Sequence, residues 1–301
     1  MRKVQLRILT VLLLAAASAV AEETKPTPAQ TAAVASMKQK LGAGFTVKRV
    51  GVFAVAWDLD AEAGAAYEQF ILEVQGALYK DFFVKRPTGV FKIALFRDTA
   101  SLQKNAKKLA TKSAVMPMGG FYLPYERVIC TDTTGGRWMV QHEVTHALLH
   151  ADLGRENWPA STVTPWIDEG MASLIESAAL KDGAFAIVAD WRLRFARRMQ
   201  TGGTLPKLRD VFKMDFATYN SPKNRMACDV VSRTFLYWLH EKAMLMPFYK
   251  AWRAEYNADP SGITFLERAT QKTLDQVESD WHAWLEAQDT PAPAKAPVPA
   301  E

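Results

Sequence analysis

The residues of this chain whose types and spacing could do chemistry are His142-Glu143-Val144-Thr145-His146, two imidazoles four positions apart with a carboxylate directly after the first. Residues four apart lie on one face of a helix. Both imidazoles can therefore converge on one metal ion, while Glu143 points beside it at a water on that ion. In outline this is a zinc hydrolase site, with Glu143 placed to take a proton from the water as general base without coordinating the metal. The bland alternatives are a helix that carries two histidines by accident, or a metal site without chemistry. A structural zinc usually has four protein ligands, commonly including cysteine, and neither Cys130 nor Cys228 belongs to a ligand-spaced motif. The presence of Glu143 also argues for chemistry, because metal binding alone does not require it.

A catalytic zinc usually takes three protein ligands and leaves one position open. His150 continues the i+4 row, but one more turn along a straight helix carries it too far from a single ion. Asp152 stands where some enzymes with HExxHxxGxx place a third ligand, yet that arrangement needs a glycine turn at the position held here by Leu149. Glu169 lies in Pro165-Trp166-Ile167-Asp168-Glu169-Gly170-Met171-Ala172-Ser173, a second helical stretch after a Pro-containing loop. The third ligand is therefore assigned to Glu169. Ligating histidines usually donate their other nitrogen to an outer acceptor, and Asp168 and Ser173, which adjoin Glu169, are both candidates. His150 and His282 read as surface or capping residues.

With W-x-x-E-G-x-A at Trp166–Ala172 following HExxH, the chain resembles the gluzincins, and in particular the peptidase-MA-like gluzincins of bacterial secreted proteins. The likeness runs from about Phe45 to Leu285 and includes a Gly-Gly-Phe-Tyr strand before the metal helix and a Trp-rich final helix; its specific part is the two metal motifs. The resemblance implies an α+β fold with a small N-terminal sheet lobe, a central HExxH helix and a helical C-terminal lobe, the cleft lying between the lobes. It implies one zinc per chain and a peptide or protein substrate, held in extended form by pairing with an edge strand, for which Gly119-Gly120-Phe121-Tyr122 is the candidate. It also implies an oxyanion donor, Tyr or His, from the helical lobe. Tyr219, in a loop before the Cys228 helix, is preferred to Tyr237 and His240, which share a helix with many core residues.

The elements that must position these groups are legible from periodicity. Phe45–Trp57 predicts strands, and Asp58 and Asp60 offer caps for a helix whose Tyr67, Phe70, Ile71, Val74 and Leu78 follow helical spacing. Val90–Phe96 predicts a central strand and Thr99–Thr111 a helix capped by Asp98. Gly119–Leu123 and Arg127–Thr131 predict a hairpin about Pro124-Tyr125-Glu126, directly before a metal helix expected over Trp138–Leu153 with Gly154 as its left-handed stop. Phe185–Met199, Cys228–Lys242 and Pro247–Tyr256 are expected as helices, and Thr264-Phe265-Leu266-Glu267 as a capping-box start. Val277, Trp281, Trp284 and Leu285 form the core stripe of a last helix.

Met1–Ala21 reads as a signal peptide: Arg2, Lys3 and Arg7 make a basic head, Ile8–Ala17 an apolar core too short for a membrane span, and Ala19-Val20-Ala21 a cleavage site. Export to the periplasm or the exterior is the expectation. Cleavage lowers Lys+Arg from 37 to 34 against 32 Asp+Glu, so the formal charge falls from +5 to +2 and gives little reason for a nucleic-acid or membrane partner. Arg192, Arg194, Arg197 and Arg198 read as a solvated helix face. Residues 22–36 predict a flexible leader with order from about Met37, 37–289 one domain of two lobes, and 290–301 an extended Pro- and Ala-rich tail. Cys130 and Cys228 would sit in a compartment where disulfides persist, but spacing alone does not bring their Cα atoms to bridging distance; a disulfide and two buried thiols both stay open. Three functions compete: a secreted zinc peptidase, which is favoured, a zinc hydrolase of another amide such as cell-wall material, and an inactive binding protein using the same groove.

Overall fold

Residues 25–110, 113 and 119–288 are described by the structure, a computed structural model; the signal-like segment, the tail 290–301 and Thr111 lie outside them. Helix α1 (Pro28–Leu41) starts well before Met37, where ordered structure was expected to begin, because Thr27 and Gln30 form a reciprocal capping box and Pro28 occupies the first helical position. Strands β1 (Thr46–Val50) and β2 (Phe53–Trp57) form a tight antiparallel pair, and α2 (Ala61–Asp81) follows with Asp60 accepting from the Ala63 amide at 2.8 Å. Next come β3 (Phe91–Phe96) and α3 (Thr99–Asn105), which ends in a 3₁₀ turn over Ala106–Lys108. The hairpin β4 (Gly120–Leu123) and β5 (Val128–Asp132) leads into α4 (Arg137–Asp152).

The strands form one five-stranded sheet in the order β1-β2-β3-β5-β4, with β2, β3 and β5 parallel and both edge strands antiparallel. Parallel neighbours need crossovers, supplied here by α2 and by the segment containing α3. Alternation along β2 separates two cores. Phe53, Val55 and Trp57 pack with Ile71 and Val74 of α2 and Val144 and Leu148 of α4, whereas Ala54 and Ala56 pack with Met37 of α1 and Leu102 of α3. The sheet therefore lies between helices on both faces, and β3 sits at its centre as its apolar run predicts.

The rest is mostly helical: α5 (Pro165–Glu176), α6 (Trp191–Thr201), α7 (Leu208–Phe212), α8 (Phe216–Tyr219), α9 (Arg225–Glu241), α10 (Leu245–Ala254), α11 (Ile263–Thr270) and α12 (Leu274–Ala287). Phe235 of α9 meets Trp281 of α12 at 5.8 Å between ring centres, so the tryptophan stripe of the last helix is core. The fold class is α+β, with a small sheet and a large helical part.

Two local expectations are corrected, and the open alternative for the cysteines is decided. Phe185 does not open a helix; it lies in a small hairpin, β6 (Ala179–Lys181) with β7 (Ala184–Ala186), closed by Asp182-Gly183 at φ 52° and 70°. Asp-Gly with both residues left-handed is the signature of a type I′ turn. Thr264 does not cap α11, because the Asp259 carboxylate takes the Ser261 and Thr264 amides first; the capping box belongs to Thr273 and Gln276 of α12. The two cysteines are free and buried, Cys130 in the core under α1 and α3 and Cys228 in the core of the helical part, where its Sγ lies 3.5 Å from Met214 Sδ.

Candidate metal centre

Two helices carry the site, and the residues around the motifs explain how they are held. α4 ends in a Schellman motif: Gly154 is left-handed (φ 70°), its N–H meets Ala151 O at 2.9 Å, and the Arg155 N–H meets His150 O at 2.7 Å. α5 begins with Pro165 at its first position, and the Trp166 indole stacks on Phe212 at 3.8 Å while its Nε1 donates to Ser261 O at 2.8 Å. A Cβ on Gly170 would fall 2.8 Å from Leu236 Cδ1 and 3.3 Å from the Ser232 backbone, so glycine there lets α9 come close. In the Trp-x-x-Glu-Gly motif the tryptophan thus anchors α5, the glycine admits α9, and Glu169 is left to meet α4. Gln141 Nε2 ties the two helices again by donating to Ile175 O (2.7 Å) and Ala178 O (3.2 Å) at the end of α5.

His142 Nε2 and His146 Nε2 lie 3.0 Å apart, and Glu169 Oε2 lies 3.5 and 3.8 Å from them. Donors around a tetrahedral zinc stand roughly 3.3 Å from one another. The three groups assigned from sequence therefore fit one ion, and their ligand atoms all fall within 4.8 Å of each other. His150 and Asp152 do not join them. Asp152 is fully buried and takes the amides of Val84 (2.9 Å) and Lys85 (2.7 Å), the Tyr249 hydroxyl (2.8 Å) and the Arg253 guanidinium (3.1 Å), which makes it a structural hub.

Behind each histidine stands a carboxylate. Asp168 Oδ1 is 2.7 Å from His146 Nδ1, which selects Asp168 over Ser173 as the outer acceptor. Glu176 Oε2 is 2.6 Å from His142 Nδ1. Sequence reasoning missed Glu176, although its place seven residues after Glu169 puts both on one face of α5. Glu176 also pairs with the Arg192 guanidinium, which Asp190 holds from its other side at 2.7 Å. Arg192 is therefore not part of a solvated face as expected, since its side chain is only 11% exposed. Nor is His150 at the surface: it is 1% exposed, with Nε2 3.0 Å from Asp168 Oδ2.

The electrostatics suit a cation. Burial opposes a charge on His142, but Glu169 and Glu176 outweigh it and hold its pKa well above the usual histidine value. Burial likewise opposes His146, and Asp168 overcomes it to push the pKa up to about 9. Burial works against ionisation of Glu169 and Glu176 too, yet the imidazoles beside them keep both pKa values below the usual carboxylate range. Two imidazoles facing three largely buried carboxylates form a pocket whose charges a dication can balance. Glu143 is 7% exposed; burial raises its pKa, the two histidines pull it down, and Glu169 adds to the rise. Above it runs β4, an edge strand as expected: a Cβ on Gly120 would lie 2.6 Å from Met139 Cγ and 3.3 Å from Glu143 Cγ.

Tyr219 is placed differently from the sequence reading. It ends the short helix α8 and has no exposed surface, and its hydroxyl is 3.0 Å from Ser232 Oγ. A substrate oxygen reaches that hydroxyl only if this packing opens. Tyr237 is half-buried on α9 and His240 is exposed. The residue of α9 that the charges of the site do feel is Asp229: burial, then Glu169, raise its pKa to about 6, and its Oδ1 is buried with no hydrogen-bond partner among the described residues. An acid inside the apolar run Cys228-Asp229-Val230-Val231 was the sequence signal for it.

No protein-family model and no curated protein matches this chain. Among the described residues no helix is long and apolar enough to cross a membrane.

Proposed function

We propose that the chain is a zinc-dependent peptidase of gluzincin type, exported by its signal-like N-terminal segment. One observation carries the reading: His142, His146 and Glu169 present three donors to a single point, and Glu143, a carboxylate that is not one of those donors, is buried directly beside them. Metal binding alone leaves Glu143 without a purpose.

A bound zinc ion would supply Lewis acidity to the attacking water and to the substrate carbonyl. The chain's own residues do the rest. Asp168 and Glu176 fix the orientation of the two imidazoles and keep their Nδ1 protons pointed away from the ion, so that Nε2 is the nitrogen offered. Glu143 takes the proton of the attacking water and returns it to the leaving amine. Burial raises its pKa above the ordinary carboxylate value, which makes it a stronger base. The edge strand β4, with Gly120 packed over Met139 and Glu143, supports pairing of an extended peptide along Gly119–Tyr122.

Peptide-library cleavage by wild type and Glu143→Gln tests the reading. The substitution keeps size and zinc but removes the base, so cleavage should fall by ~10²–10⁴-fold. Equal cleavage by the variant defeats the assignment of Glu143. Cleavage of cell-wall amides but not peptides by wild type moves the same machinery to another substrate, and binding of peptides without any cleavage replaces the enzyme by a peptide-binding protein.

A further inference from the structure

His150 lies one turn beyond the second ligand on α4, too far along the helix to share its ion, yet it is buried like a core residue, at 1% exposure. A buried imidazole needs partners for its nitrogens. Its Nε2 finds one in Asp168 Oδ2 at 3.0 Å, and the other oxygen of the same carboxylate, Oδ1, holds His146 Nδ1 at 2.7 Å. Asp168 itself is 4% exposed, so water does not readily replace either contact. The carboxylate is thus gripped at both oxygens by histidines on successive turns of one helix.

We infer that His150 is a positioning residue of the metal centre, clamping the carboxylate that orients the ligand His146. This rests on the reading of His142, His146 and Glu169 as metal ligands. A carboxylate held through one oxygen is free to swing about its last torsion, and the imidazole it holds swings with it. Held through both, it has one orientation, and His146 Nε2 stays aimed at the ion. The donor in the contact must be His150, since an ionised carboxylate only accepts. Its Nε2 therefore carries a proton.

The ring of His150 also packs against the sheet. His150 Nδ1 and the Tyr122 hydroxyl are both buried without a hydrogen-bond partner among the described residues, and the two rings meet edge to face with centres 5.4 Å apart. Tyr122 belongs to β4, the strand that flanks Glu143, so the clamp is packed between the ligand helix and the edge strand of the sheet. The same packing locks the ring of His150 in place.

Zinc affinity, measured by competition with a chelator on wild type, His150→Phe and His150→Gln, tests the clamp. Phenylalanine keeps a ring in the space but donates nothing, and glutamine keeps a donor that can reach Asp168. Loss of an outer-shell partner commonly lowers metal affinity 10–100-fold. His150→Phe should lose that much and His150→Gln should recover most of it, while the thermal midpoints of the two metal-free variants lie close together. A merely structural role would lower the midpoints and leave the affinity of the folded protein unchanged, and that result overturns the inference. Should His150→Phe not fold, His150→Asn decides, because its short amide cannot reach Asp168; wild-type affinity in that variant is equally fatal. Absence of stoichiometric zinc in wild type would instead overturn the metal centre beneath the inference.

Discussion

Glu176 Oε2 lies 2.6 Å from His142 Nδ1, so α5 gives one donor of the candidate metal group directly, Glu169, and braces another, His142, from two turns further on. Arg192 holds the second oxygen of Glu176, and together with His142, the larger influence, it keeps that carboxylate ionised. Glu176→Ala should therefore weaken zinc binding by roughly 10–100-fold, and Glu176→Gln, whose amide oxygen still accepts, by less. Chelator competition reads both, and an alanine variant that binds like wild type would remove Glu176 from the site.

The metal-free protein should lose stability as pH rises, and the sign follows from the imidazoles. His146 has a folded-state pKa of about 9 against an ordinary 6.5, because Asp168 outweighs the burial that opposes its charge, and His142 is raised in the same direction. A raised folded pKa contributes stability that is complete below pH 6.5 and is lost as pH climbs through about 9. With Nε2 atoms 3.0 Å apart the two rings titrate as one unit. In chelator the thermal midpoint should fall across that window; with zinc, which takes the place of the protons, the fall should be largely absent, and apparent zinc affinity should rise over the same range. Parallel midpoint curves with and without zinc would contradict this.

The two metal motifs were legible because each residue type in them answers a local need. HExxH needs only a helix, and Trp166, Glu169 and Gly170 have separate places on a single helix turn: stacking, a donor beside the two imidazoles, and close approach. The strand order was partly legible, since an apolar run without polar alternation, Phe91–Phe96, belongs at the centre of a sheet covered on both faces. What the sequence hid were pairings across long separations. Nothing local distinguishes Arg192 of a basic helix face from Arg192 gripping Glu176, or His150 at a surface from His150 under Tyr122. The pattern around Tyr219 predicts a loop, whereas it ends a short helix packed against α9 and is buried there. The missed Asp182-Gly183 turn is different: its signal was present, and the apolar residues after it suggested a helix instead.

Gly120 and Gly135 both face Met139, and their alanine variants should behave differently. At Gly135 the added carbon meets the Met139 Cε, the free end of a flexible side chain, at 2.8 Å; at Gly120 it meets Cγ at 2.6 Å and Glu143 Cγ at 3.3 Å. Gly120→Ala should cost about 1–3 kcal/mol and reduce cleavage more than its loss of stability explains, because β4 or Glu143 must move. Gly135→Ala should be the milder of the two in both thermal denaturation and activity. Equal effects would mean that β4 does not constrain the base.

Metal analysis of the purified protein after removal of loosely bound ions tests the central claim most directly. Wild type and Glu143→Gln should each hold about one zinc per chain, because three protein donors make a sufficient shell and Glu143 is not among them. Glu169→Ala, His142→Ala and His146→Ala should each lose stoichiometric zinc while retaining helical content by circular dichroism. Full zinc occupancy in a folded Glu169→Ala variant would contradict the account.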